Sequence, residues 1–494
     1  MASRALAREF TNGHLTAVVQ SEGGHADDQQ PARVLPVPST SGGGSGSGTL
    51  ARLAAGAFLP EGFPDSVSSD YLGYQLWDSI QGLSSYVRGM LSSQAMLAGV
   101  GVGSAAATPL GAVFQFFVKD MSGMVGGILF ASTQGSGLDC YAKQWRLFGD
   151  VMNDIGMALE LASPLLPGAF LLLACLGSIA RAVTGVAGGA TRMALTQHFA
   201  QARNAADIAA KEGSQETAVT LVGMVLGMVL IRLAAGHPAL TWAAFWALTA
   251  VHVWANVRAM RCLRITGINQ ARLGLLLRHY LCQGVALTPA QLAERESLVA
   301  PPLQRLLRLL GLAGLAGARP QVALAPRLAS LSTPLQRQLA AELAQAAQQG
   351  SGRRYIAAAT AGAAGPAGPD AVLLLHREAA PADILQGYCA ALMLAWRAQL
   401  GHGRGPSKLW PDAARRALAD PSAWFAGSCS GGGGQPAGST GSGGEGGGGS
   451  KDSDSGGYAG FVEALAAAGW NLERVALLQG QARLVWGGAD LHTD

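Results

Sequence analysis

Residues 217–257 read TAVTLVGMVLGMVLIRLAAGHPALTWAAFWALTAVHVWANV, and Arg232, His237 and His252 are the only ionisable side chains in the run. It is longer than the roughly 20 residues that one helix needs to cross a bilayer. Arg232 at a bilayer centre would cost about 2.5–3.5 kcal/mol. Together with Gly236, His237 and Pro238 it is best placed at a turn. The pattern predicts a helical hairpin, with a first arm at Thr217–Ile231 and a second at Ala239–Val257 that carries Trp242, Trp246 and Trp254.

Two further apolar runs precede the hairpin. Ala95–Val118 holds 24 residues without a charge, about 36 Å as a helix, although its Gly and Ala content weakens the drive into lipid. Leu161–Ala180 contains PLLPGAFLLLACLGSIA and is more strongly apolar. The alternative is a soluble all-helical core whose buried helices are apolar all round. Gly123 and Gly127, Gly185 and Gly189, and Gly223 and Gly227 are each four residues apart, the spacing that lets helix backbones approach closely in lipid. The expected fold is therefore mainly α: an apolar, membrane-embedded multi-helix bundle followed by a small α+β C-terminal domain.

Composition agrees. Of 494 residues only 13% are charged, about half the usual share, and the mean hydropathy is +0.25. A net charge of +4 argues against a dedicated nucleic-acid partner. The charge is uneven: no Asp or Glu occurs from Thr217 to Ala293, where Arg232, Arg258, Arg261, Arg264, Arg272 and Arg278 all fall. Such a segment beside apolar spans suits an anionic lipid surface or the positive side of a membrane, or a solvated basic face. Cysteines 140, 175, 262, 282, 389 and 429 show no CxxC spacing and read as unpaired thiols, with no metal site implied.

Two polar runs interrupt the apolar ones. Asp139, Lys143, Arg146, Asp150, Asn153 and Asp154 recur at three- and four-residue steps; Arg203, Asp207, Lys211 and Gln215 repeat every four, beside Glu212 and Glu216. One reading is ion-paired faces or loops in solvent. The other is a polar cavity in which Asp150, Asp154, Asp207, Glu212 and Glu216 bind a cation or relay protons, with Arg192, Arg203 and Lys211 contacting an anionic ligand. His198 reads as a satisfied helix histidine. Gly185–Arg192, GVAGGATR, lacks the Lys-Ser/Thr ending of a phosphate loop and reads as a helix contact, with Arg192 as a possible anion contact. No GxSxG, HExxH or Cys-His arrangement appears in this apolar part, so the residues make no case for an enzyme, and they imply no cofactor.

Phe58–Gln94, FLPEGFPDSVSSDYLGYQLWDSIQGLSSYVRGMLSSQ, opens the apolar domain. Pro60 and Pro64 stiffen a turn and Asp65 or Ser66 can cap the next helix. Asp70, Tyr71, Tyr74, Trp77 and Asp78 then mix aromatics with carboxylates, either as an interfacial or docking face or as a buried packing face. Phe58–Gln94 resembles the opening signature of the root UVB-sensitive (RUS) family. GVGVG at 99–103, KDMSGMVGGILFA at 119–131, KQWRLFGDVMND at 143–154, GVAGGATR and NAADIAAKEGSQE at 204–216 extend the resemblance in order over the middle half of the chain. The resemblance implies a physiological role without a reaction: plastid localisation in plants, root UV-B and light responses, vitamin B6 homeostasis, auxin-linked growth, and association with a RUS paralogue or with itself, besides membrane lipid.

Outside that core, residues 1–57 end in TSGGGSGSG and read as disordered. A transit sequence is possible at MASRALAREF, although Glu9, Glu22, Asp27 and Asp28 are unlike one. The expected organisation is a RUS-like helical domain at 58–290, a helical connector at 291–353, a small α+β domain at 354–426 and 458–494 ending in a strand at 482–486, and a disordered Gly/Ser insert at 427–457.

Overall fold

The computed structural model describes residues 4–11, 14–21, 33–36, 55–102, 108–310, 320–348, 354–360, 369–401, 410–425, 457–477 and 482–484. It is mainly α, with a small sheet-containing C-terminal region. Six long helices span residues 71–262: α1 (Tyr71–Gly99), α2 (Pro109–Gln134), α3 (Ala142–Ala162), α4 (Phe170–Phe199), α5 (Ala205–Ala234) and α6 (Pro238–Cys262).

The hairpin forms where Gly236 adopts a φ of 78° after α5 and Pro238 opens α6. Arg232 lies in the last turn of α5 rather than in the connection, where a cation complements the helix dipole. The polar run at 204–216 and the first apolar arm, read as separate segments, form one 30-residue helix. No proline breaks 205–234, so the backbone ladder continues through it. The other two apolar runs are each divided. Gly101, at φ 89°, follows α1, and Thr108 accepts a cap bond from the Gly111 amide at 3.2 Å ahead of Pro109, so Ala95–Val118 is not a single span. Pro164 and Pro167, which have no N–H to donate, convert the start of Leu161–Ala180 into two 3-10 turns before α4.

Three helices are long and apolar enough to cross a membrane by length and composition: Pro109–Gln134, Pro167–Phe199 and Ala205–Ala234. The second hairpin arm, α6, is not among them.

The chain divides into two compact units, Met1–Leu91 with Arg192–His252, and Ser92–Thr191 with Val253–Asp494. In the first, Gly223 and Gly227 of α5 lie against α1. A Cβ on Gly223 would fall 2.7 Å from Tyr86 Cβ, and one on Gly227 2.6 Å from Met90 Cγ. This unit also contains strands β1 (Arg4–Thr11), β2 (His14–Ser21) and β3 (Arg33–Pro36), an antiparallel meander in order β1-β2-β3. These strands fall within 1–57, which was expected to be disordered; residues 1–3, 12–13, 22–32 and 37–54 lie outside the described residues. In sequence, β1 and β2 are two eight-residue runs separated by two residues, a spacing typical of a hairpin.

In the second unit, Gly123 and Gly126 of α2 pack on Ser178 and Ile179 of α4, and Gly149 and Gly156 of α3 pack on Ala187 and Arg181. The pair Gly185 and Gly189, expected at a helix contact, has no atom within 4 Å of an added Cβ; Ala187 and Thr184 make that contact instead, on the opposite side. After α6 come β4 (Gly267–Asn269), α7 (Gln270–Gln283), α8 (Pro289–Arg295), α9 (Pro301–Leu309), β5 (Val322–Leu324), α10 (Thr333–Gln348), β6 (Tyr355–Ala359), β7 (Ala371–Leu375), α11 (Pro381–Gly401), α12 (Asp412–Ala419), α13 (Pro421–Phe425), α14 (Tyr458–Ala467) and β8 (Asn471–Ala476). The sheet runs β5-β7-β6, parallel between β5 and β7 and antiparallel between β6 and β7. Every residue of β7 is buried, as suits a strand covered on both faces. Leu335, Leu339 and Ala346 of α10 cover Ile356, Val372 and Leu374, and α11 packs with Leu373 and Leu375.

The C-terminal core also takes in Ile268, Leu273, Leu276, Leu277 and Leu292. Residues assigned to the helical domain thus belong to this core, because α7 repeats leucine at helical spacing and needs an apolar partner. The expected connector at 291–353 is likewise built into the α+β region, supplying β5 and α10. Of the expected terminal strand, Leu484 bridges to His376, and 485–486 lie outside the described residues, as does the 427–457 insert apart from Gly457.

Candidate functional site

Most of the polar residues singled out in the sequence come together in the first unit, along a seam between α1, the end of α4 and the polar half of α5. Its base is set by backbone pairing: the Ser68 amide donates to Phe199 O at 3.0 Å and the Gln201 amide to Ser66 O at 3.2 Å. Asp70, buried, then accepts from Ser68 Oγ and lies 2.9 Å from His198 Nε2. One turn along, Gln75 Nε2 donates to Glu212 Oε1 at 2.9 Å and Thr196 Oγ1 to Glu212 Oε2 at 3.1 Å. Further on, Tyr86 donates to Glu216 Oε1 at 3.0 Å while Arg192 Nη2 donates to Oε2 at 2.6 Å. Each α5 carboxylate therefore reaches both neighbouring helices, as the i, i+4 spacing of Glu212 and Glu216 allows.

The adjacent stripe of α5 holds the chain leading into α1. Lys211 Nζ donates to Gly56 O and Gln215 Nε2 to Phe58 O, each at 2.6 Å, and Asp207 Oδ2 accepts from the Glu61 amide at 2.7 Å. These three side chains recognise backbone, which fixes the path of residues 56–61 whatever their side chains. Arg203 does not join the stripe. It is exposed in the turn before α5 with a φ of 57°, one residue short of the Asn204 cap.

Among the residues read as a docking face, Tyr71 and Tyr74 are buried and pack edge-on and tilted against Phe199, each at 5.3 Å. Burial raises the Tyr71 phenol to about 12, against an opposing hydrogen bond from Gln215 and with added repulsion from Glu212 and Asp207. The packing alternative holds for these two rings; Leu72 and Leu76 are the exposed apolar positions of this turn. Trp77 and Asp78 are half-buried, and Asp78 accepts from Gln81 Nε2 at 3.1 Å.

Asp150 and Asp154 lie in the second unit. Asp150 accepts from Asn256 Nδ2 at 2.8 Å and is 3.5 Å from Arg146 Nε, while Asp154 is buried. The start of α3 is enclosed on every side: Lys143, Gln144, Trp145 and Arg146 are all buried. Lys143 Nζ donates to Leu263 O at 2.6 Å and lies 3.4 Å from Glu296 Oε2. Glu296 also accepts from Arg272 Nε and Gln144 Nε2, both at 3.1 Å. Sequence reading did not find this cluster, because its members are far apart along the chain and Glu296 stands in an ordinary polar stretch. Arg88 was missed as well: fully buried, it donates to Ser84 O and Thr249 Oγ1 and lies over the Phe245 ring. A lone charge inside an apolar segment was the available signal for it.

The seam orients carboxylates through neutral and cationic donors, an arrangement suited to holding charge or relaying a proton rather than to nucleophilic attack. Among the described residues no group of three His, Cys, Asp or Glu side chains converges to hold a metal ion, and Cys140, Cys175, Cys262, Cys282 and Cys389 form no disulfide. Cys429 lies outside the described residues.

A family described as the vitamin B6 photo-protection and homoeostasis domain matches residues 45–284, which includes the whole seam. Protein root UVB sensitive 3 of Arabidopsis thaliana is 47% identical over 339 residues, covering 69% of this chain and 74% of that protein. RUS family member 1 of Dictyostelium discoideum is 44% identical over 246 residues, 49% of this chain and 47% of that one. Protein root UVB sensitive 2, chloroplastic, of Arabidopsis thaliana is 34% identical over 245 residues, 49% of this chain and 56% of that one. No solved structure matches the chain. With the family match over residues 45–284 and identity of this extent to a relative covered to 74%, the chain belongs to the root UVB sensitive family.

Proposed function

We propose that this chain is a membrane-embedded, non-catalytic component of vitamin B6 homeostasis, acting as a transporter-like helical bundle. The observation that carries the reading is an inverted packing of sizes. Phe114, Phe117, Met124 and Ile128 of α2 and Val222, Val225 and Val229 of α5 are exposed, whereas Gly123, Gly127, Gly223 and Gly227 of the same helices are buried. A water-soluble bundle turns its large apolar side chains inward; helices that pack through glycine and present large side chains outward suit lipid. The family description supplies the vitamin B6 context, and the relative named chloroplastic suggests a plastid membrane.

The test is uptake. Vesicles reconstituted with the full chain are expected to accumulate a radiolabelled B6 vitamer above protein-free vesicles. Full insertion without uptake or binding would remove the transport role and leave a scaffold, whose own expectation is co-purification with a second RUS chain.

A further inference from the structure

In the second unit, ionisable side chains from α2, α3 and α4 meet away from the seam. Glu160 of α3 is 2% exposed. Its Oε2 accepts from Ser92 Oγ of α1 at 2.7 Å and from Arg181 Nη1 of α4 at 2.9 Å, and Lys119 Nζ of α2 stands 3.8 Å from Oε1. Oε1 is enclosed yet accepts no hydrogen bond. Asp120 lies 3.4 Å from Lys119 and faces outward. The approach of α3 to α4 here is as close as backbone allows: a Cβ on Gly177 would lie 2.9 Å from Gly156 O and 3.0 Å from Glu160 Cγ.

Two cations thus share one buried carboxylate, and the second is only partly used. Among the described residues Glu160 is the acceptor of the Arg181 guanidinium, whose side chain is 46% exposed. Four of its five N–H donors are left for something else. The helix surface beyond it is open: Gly185 and Gly189, four and eight residues on, are exposed with no atom within 4 Å of an added Cβ. Lys119 is the eleventh residue of α2, about 15 Å from its start, and Arg181 is similarly central in Pro167–Phe199. Ionisable groups at such depth mark binding sites or pathways.

We propose that Lys119 and Arg181 bind a phosphate-bearing anion and that Glu160 is the counter-ion it displaces, with one proton taken up by Glu160 as the anion enters. With Glu160 ionised, its carboxylate holds the guanidinium and neutralises the ammonium. Once it is protonated, both cations are released to phosphate oxygens, which the planar Arg fork matches bidentately. The carboxylic acid keeps Ser92 as a partner, and its proton offers Oε1 a donor role it lacks in the ionised state. The anion and the proton therefore enter together. This rests on the membrane reading above, which sets the depth of the two cations.

The experiment uses the full chain reconstituted in phosphatidylcholine vesicles and recovered by flotation, with radiolabelled inorganic phosphate as one probe and phosphatidic acid doped into the vesicles as the other. Wild-type affinity is expected to fall about tenfold for each unit rise in pH over the range in which binding takes up one proton, as coupled uptake requires. Glu160→Gln should bind more tightly at neutral pH and lose the pH dependence. Arg181→Gln should weaken binding at least tenfold, with Arg181→Lys between. The same pattern with inorganic phosphate assigns a soluble ligand, and with phosphatidic acid alone a lipid headgroup. A chain that floats but binds neither probe, or binds them equally as Arg181→Gln, overturns the site while leaving the membrane reading intact. A chain that does not float overturns both.

Discussion

Glu296 is fully buried, and its surroundings decide whether it can remain charged. Burial works to raise its carboxyl. Arg272, then Lys143 and the Gln144 hydrogen bond outweigh burial and hold it at about 2. Burial brings the Lys143 ammonium down to about 8, against the attraction of Glu296 and with added repulsion from Arg272. A carboxyl lowered from 4.5 to about 2 on folding contributes about 3 kcal/mol of stability. That contribution is complete above pH 4.5 and is lost as the pH falls towards 2, since the unfolded chain then binds the proton first. Glu296→Gln leaves Arg272 and Lys143 buried without their counter-charge and should cost about 3–5 kcal/mol. The change would be read as a lower denaturant midpoint together with a flatter acid limb. A stability within about 0.5 kcal/mol of wild type, on the scale of an ordinary surface change, would show the cluster to be solvated.

At the scale of elements, the glycine pairs make different demands. Gly223 and Gly227 hold α5 against α1 at a distance no Cβ tolerates, whereas Gly185 and Gly189 face open space. Gly227→Leu should therefore separate the two helices and break the Tyr86–Glu216 and Gln75–Glu212 bonds. Gly189→Ala should be neutral or stabilising by up to about 1 kcal/mol; thermal melts of the two variants in detergent make the comparison, and equal melts would remove the close-approach argument. The hairpin and the apolar helices were readable because turn residues and uncharged runs act locally. So was the grouping of Asp207, Glu212 and Glu216 on α5, from their spacing. Which helix received those carboxylates was not readable, since Gln75, Tyr86 and Thr196 are unremarkable polar residues until the fold brings them near. The breaks in Ala95–Val118 and Leu161–Ala180 were present as Gly-Val-Gly-Val-Gly and paired prolines, and hydropathy alone overrode them. The dual placement of α7 was hidden for the opposite reason, as a leucine-rich helix states that it is buried without stating against what.

The molecule as a whole joins helices that pack through glycine and present large apolar side chains outward with a C-terminal α+β region whose large apolar side chains are buried around β7 and α11. The polar seam lies among the former, and the Glu296 cluster ties the start of α3 to Arg272 of α7, so charge is concentrated at defined places in a chain with few charges. The family's vitamin B6 context and the lipid-suited exterior meet in a single physical claim, that α2, α4 and α5 lie within a bilayer. The direct test is alkaline carbonate treatment of membranes containing the tagged full-length chain. The protein should stay in the membrane pellet and be released by detergent alone; release into the carbonate supernatant would contradict the embedded bundle and make its apolar faces surfaces for another protein.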